Sequence, residues 1–137
     1  MSLKKLEWED VYSVGVKEID EQHKLMFDTI NELFEAINEK RHEEILGNII
    51  KKLVEYKVLH FETEEKYFKK FNYVNESEHV AHHRFFNDEL NRITSKYSKY
   101  NFEFAFELVE FLENWLIEHL MNEDQKYKQC FKEHGLV

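Results

Sequence analysis

Between His60 and His83 the sequence sets an H-x-x-x-E (His60, Glu64) and an H-x-x-x-H (His79, His83) on either side of a polar break. No other feature restricts the fold as strongly. Residues four apart on an α-helix lie one turn apart and only about 40° around the axis, so each pair can grip one metal site. Two such pairs on consecutive helices, aimed at each other across a bundle, can hold two ions between them. The rest of the chain must then supply further helices and further donors.

Apolar spacing supplies the helices. Leu6 to Val16 carries Trp8, Tyr12, Val14 and Val16 without a helical period and reads as an extended arm. From Asp20, a suitable N-cap, Ile19, Met26, Ile30, Leu33 and Ile37 recur at helical spacing, and His23 falls in the gap of that series. A polar connection over residues 38–42 leads to a second stripe of Ile45, Ile49, Leu53, Tyr56, Tyr67 and Phe71, which includes His60 and Glu64. Asn72 to Ser77 is a break, and Asn75 followed by Glu78 reads as a capping box. The third stripe is His79, Phe86, Leu90, Ile93 and Tyr97. After a short break over residues 98–101, Ala105, Leu108, Leu112 and Trp115 lead to His119. Four such segments with short connections predict an all-α, up-down-up-down antiparallel four-helix bundle, with an N-terminal extended arm and a short C-terminal helical tail.

Composition agrees with long helices: the 137 residues include no proline and three glycines. The length fits a single domain over residues 1–137. A formal charge of -9 argues against nucleic-acid or anionic-membrane partners, which reward clustered Lys and Arg. The lone Cys130 is compatible with a reducing compartment, and neither a signal peptide nor a membrane span is legible, so a cytoplasmic protein is expected.

One histidine on an apolar face is ordinarily a hydrogen-bonded core residue. Here His23, His60, His79 and His119 occupy the inward stripe of all four helices, joined by Glu64 and by His82 or His83. Burying so many polar groups without compensation would offset much of a small domain's stability, and a metal supplies that compensation. Periodicity leaves His82 and His83 equally far from the centre of the third stripe. Near the fourth helix end, Glu123 is four residues from His119 and needs no helix break, whereas Asp124 is five away and does. His42 and His134 read as solvated.

These residues resemble the bacterial hemerythrin family. The resemblance runs from Trp8 through Ser13-Val14-Gly15-Val16 and Ile19-Asp20-Glu21-Gln22-His23. It continues through H-x-x-x-E at His60 and Glu64, H-x-x-x-H at His79 and His83, and H-x-x-x-x-D at His119 and Asp124. It covers nearly the whole chain, and no ligand position departs from the pattern. The resemblance implies His83 over His82, Asp124 over Glu123, and a helix disruption after His119. It further implies two iron ions with a bridging oxo or hydroxo group. His79, His83 and His119 would bind one ion and His23 and His60 the other, with Glu64 and Asp124 bridging.

Two roughly octahedral ions offer about twelve positions. Five imidazoles, two bridging carboxylates and a bridging oxygen atom leave about one open, on the ion with two histidines. Dioxygen is the ligand that the resemblance implies for this position, for storage, transport or delivery rather than catalysis. Oxygen-activating enzymes on similar bundles are carboxylate-rich, the opposite of this donor balance. The competing readings are an oxygen or redox sensor module and a di-iron enzyme acting on peroxide or nitric oxide. A separate protein partner is compatible with each.

Overall fold

The computed structural model describes residues 5–40, 43–97 and 101–137, with the side chains of 43 and 44 outside the description. Four long helices dominate: α1 (Lys17–Asn38), α2 (Glu43–Lys70), α3 (Glu76–Lys96) and α4 (Phe102–Met121). Two short helices follow, α5 (Glu123–Lys126) and α6 (Lys128–Glu133). Among the described residues there is no strand. Helix α1 packs on α2 and α4, and α3 on the same two, which closes the expected four-membered ring. Among the described residues no helix is long and apolar enough to cross a membrane.

The arm is as expected except for a 3-10 turn at Asp10–Tyr12. Leu6, Trp8 and Tyr12 lie against the main core, and Trp8 and Tyr12 meet Phe27 edge-on. Helix α1 begins earlier than Asp20, with Val16 as its N-cap. Asp20 sits in the first turn and reaches back to the arm, accepting hydrogen bonds from Ser13 Oγ (2.5 Å) and Val14 N (2.9 Å). A capping-type carboxylate thus anchors the arm instead of ending the helix, a choice that local sequence does not reveal. The chain enters α1 through Gly15, whose φ of 77° disfavours any residue with a Cβ. Gly15→Ala is therefore expected to cost about 1–2 kcal/mol. A urea titration measures this, and an unchanged midpoint would show that the arm relaxes freely.

Helix α2 stops in a Schellman arrangement. Asn72 adopts φ 51°, Tyr73 N bonds Phe68 O (2.9 Å), and Asn72 N reaches Lys69 O (3.4 Å). Tyr73 packs on Phe68 across the turn, with ring centroids 5.0 Å apart. Asn75 is the N-cap of α3, but its side chain makes no capping hydrogen bond, so the expected capping box is not formed. Asn101 does cap α4, accepting from Phe104 N at 2.9 Å. The expected stripe of α2 is corrected in two places. Ile45 is exposed while Leu46 and Ile50 are buried, and Phe68 is buried where Tyr67 and Phe71 are only partly so. A four-residue series drifts about 40° per step, too fast to follow one face through so long a helix.

Two apolar cores result. One gathers Met26, Ile30, Leu33, Leu53, Phe86, Leu90, Leu108 and Leu112 from all four long helices. The other joins Val14, Val16, Ile19, Phe68, Tyr73, Tyr127 and Phe131. Along α1, Ile19 belongs to the second core and Met26 to the first, with His23 between them. Along α2, Phe61 and Phe68 are divided the same way, with Glu64 between them. The polar residues form a layer sealed from both ends.

Candidate metal centre

Each element contributes to that layer from a position fixed by its apolar neighbours. His23 comes from α1, His60 and Glu64 from α2, His79 and His83 from α3, His119 from α4 and Asp124 from α5. All seven are buried. Asp124 reaches the layer because α4 ends at Met121. Asn122 takes φ -115° and ψ -76°, and the chain restarts as α5. This is the disruption that a five-residue spacing requires. His82 leaves 43% of its side chain exposed against 2% for His83. His134 is exposed and stacks on Phe71, and His42 lies outside the described residues.

The donor atoms converge in two groups. Glu64, His79, His83 and His119 form one and His23, His60, Glu64 and Asp124 the other, with the donors of each within 4.8 Å of one another. His23 Nε2 lies 2.8 Å from His60 Nε2, and His79 Nε2 lies 3.2 Å from His119 Nε2. Glu64 Oε1 is 3.4 Å from His60 Nε2, 3.4 Å from His79 Nε2 and 3.1 Å from His83 Nε2. Asp124 faces both groups. Its Oδ1 is 3.0 Å from His119 Nε2 and 3.2 Å from His79 Nε2, and its Oδ2 is 3.2 Å from His23 Nε2.

A surrounding set of side chains orients these donors. His60 Nδ1 pairs with Gln22 Oε1 (2.9 Å), and Gln22 Nε2 donates to Thr63 Oγ1 (3.1 Å). His83 Nδ1 pairs with Glu65 Oε2 (2.8 Å). With a proton on Nδ1 donated outward, each ring turns the lone pair of Nε2 toward the centre. Tyr127 donates to Glu64 Oε2 at 2.6 Å. Phe61 stacks on His83 and Trp115 on His119, fixing both rings in apolar surroundings.

Charge in the layer is tightly coupled. Burial and Asp124 push the Glu64 carboxyl up, but His60, His79 and His83 outweigh them and hold it well below its ordinary value. Asp124 is likewise raised by burial and held well below its usual range by His119, His23 and His79. Burial drives His60 down to about 3 despite the pull of Glu64. His79 is opposed by burial too, yet contacts with Asp124 and Glu64 raise it to about 10. Without a metal, two carboxylates share the positive charge of His79. Burial and the charge of Glu64 push the Tyr127 hydroxyl well above its ordinary value, so it stays a proton donor.

The residues fit a cation. Glu64 Oε1, His83 Nε2 and both oxygens of Asp124 are buried without a hydrogen-bond partner, an arrangement that is costly unless something else satisfies it. The Nε2 separations match two nitrogens at right angles on one ion, about 2.9 Å for bonds near 2.05 Å. Five imidazoles and two carboxylates form a donor set of the kind that takes first-row transition metals. Gln22, Glu65 and Tyr127 were not singled out by sequence reasoning. Gln22 and Glu65 adjoin predicted donors, and Tyr127 follows Asp124 by three residues, but nothing in spacing alone separates such supports from solvated neighbours.

A closed helical bundle with two buried histidine–carboxylate clusters sharing one glutamate defines a cation-binding bundle protein. The chain belongs to the hemerythrin family: the model of the Hemerythrin HHE cation binding domain matches residues 14–131. A hemerythrin-like protein of Naegleria gruberi is 30% identical over 122 residues, covering 88% of this chain and 89% of that protein. A bacteriohemerythrin of Clostridium acetobutylicum is 26% identical over 125 residues, covering 88% and 96%. The crystal structure of a wild-type hemerythrin superimposes with a TM-score of 0.77 at 25% identity, covering 91% of this chain and 96% of that one.

Proposed function

We propose that this protein binds dioxygen reversibly at a pair of iron ions and serves to store, transport or deliver it. His79, His83 and His119 would hold one ion and His23 and His60 the other, with Glu64 and Asp124 in reach of both groups of histidines. The observation that carries this reading is the sharing of donors: Glu64 belongs to both groups, and the two oxygens of Asp124 face opposite ones. When bound, a reduced iron pair supplies reversible affinity for dioxygen.

The chain's own residues supply the rest. Imidazoles outnumber carboxylates, which tempers the negative charge at the centre and disfavours highly oxidised metal. Gln22 and Glu65 hold His60 and His83 in the donating tautomer. Phe61, Phe86 and Trp115 pack against one another beside His83 and His119 and keep that wall apolar. Tyr127 donates a hydrogen bond to Glu64 Oε2, which tempers the charge that this carboxylate presents.

The test is to reduce iron-loaded protein under argon and cycle it between air and argon near neutral pH, recording the visible spectrum and the oxygen balance. Colour that develops in air and disappears under argon, with oxygen recovered over several cycles, is expected. Continuous oxygen consumption in the presence of a reductant would instead identify an enzyme.

A further inference from the structure

Glu78, His82 and Glu123 each sit one residue from a member of the buried layer (His79, His83 and Asp124) and face the other way. Their donor atoms lie within 4.8 Å of one another, close enough to share one ion after small side-chain adjustments. His82 Nε2 is 3.6 Å from Glu123 Oε1. All three line an open depression of about 650 Å³ whose wall includes His119 and Asn122. The most informative member is Glu123. Only 9% of its side chain is exposed, and its Oε2 is buried with no hydrogen-bond partner. A carboxylate oxygen withdrawn from water in this way, on a residue that lines the depression, calls for a cation.

Part of that need is met by Lys126, whose Nζ lies 2.9 Å from Glu123 Oε1 and 3.6 Å from Glu78 Oε1. The ammonium marks where positive charge is wanted but leaves Glu123 Oε2 unserved. Its side chain is 43% exposed, so it can swing into solvent when something better arrives.

We propose that Glu78, His82 and Glu123 form a peripheral site for a divalent first-row transition cation on the outer wall of the buried centre, with Lys126 as a built-in competitor for the same place. One imidazole and two carboxylates, with water completing the shell, suit Fe2+, Mn2+ or Zn2+. The ring of His82 is 5.9 Å from that of His119, so the proposed site lies just outside the buried layer.

The site is tested with Mn2+ as the probe, titrated into iron-loaded protein after dialysis against a chelator, with free Mn2+ followed by electron paramagnetic resonance. One saturable Mn2+ beyond the buried metal is expected. His82→Ala and Glu123→Gln should each weaken it by roughly tenfold or more. Lys126→Gln should tighten it, because the competing charge is gone. The optical spectrum of the buried centre reports on folding in every variant, and if Glu123→Gln disturbs it, His82→Ala and Lys126→Gln carry the test. Absence of an additional ion, or an affinity unmoved by His82→Ala or by Lys126→Gln, overturns the proposal. The count is taken relative to whatever the buried centre holds, so it stands or falls independently of reversible oxygen binding.

Discussion

Replacing His83 by alanine is expected to lower the tightly held iron from about two ions per chain to one or fewer, whereas His82→Ala leaves it near two. The two residues are neighbours of one type on one helix, so composition, charge and helix propensity change identically in the two variants. What differs is placement. His83 is buried, its Nε2 is 3.1 Å from Glu64 Oε1, and Glu65 and Phe61 hold its ring. His82 is nearly half exposed and belongs to the outer cluster. Removing His83 takes one of three imidazoles from its group and leaves Glu64 Oε1 with fewer partners, so the loss spreads to the carboxylate that both groups share. Metal analysis after dialysis against a chelator, together with the visible spectrum, provides the measurement. Equal iron content in the two variants, or loss only in His82→Ala, would mean that the ligand assignment fails at this helix.

How much of this centre was legible in the sequence depends on what each inference required. The inward direction of His23, His60, His79 and His119 follows from apolar neighbours three and four residues away, and a local pattern of that kind survives folding intact. The choice between His82 and His83 does not follow. Two residues 100° apart straddle the stripe, and a small rotation of α3 decides which enters. Asp124 was harder still, because its position depends on a break at Asn122 that no proline or glycine announces. Only the resemblance of the ordered motifs selected it. Asp20 shows the same limit from the other side: a carboxylate with an obvious local use as a cap is engaged seven residues back, by Ser13. Gln22, Glu65 and Tyr127 act through contacts between elements that spacing along the chain does not encode. His82 and Glu123 are the alternatives set aside by the resemblance. They meet each other instead of the buried centre.

The iron form is expected to melt well above the metal-free form, and the size of the gap follows from the buried layer. In the metal-free chain, Glu64 Oε1, His83 Nε2 and both Asp124 oxygens are withdrawn from water without hydrogen-bond partners, and each such atom costs about 1–3 kcal/mol. His79, raised to about 10 by Asp124 and Glu64, offsets part of this cost. Metal binding satisfies these atoms together, and because the unfolded chain presents no assembled site, the binding free energy appears as folding free energy. Free iron at a thousand times its dissociation constant adds about 4 kcal/mol. For a domain of this size that corresponds to roughly 10–20 °C in the midpoint. The metal-free chain is still expected to fold, since an apolar core lies on each side of the layer and neither includes a metal donor. Calorimetry at a series of free iron concentrations separates this prediction from simple stiffening: the midpoint should rise with the logarithm of free iron and fall back when a chelator is added. His83→Ala should flatten that dependence, while His82→Ala should preserve it. Coincident midpoints with and without iron would show that these seven residues are satisfied by one another, and the centre would then be a polar core instead of a binding site.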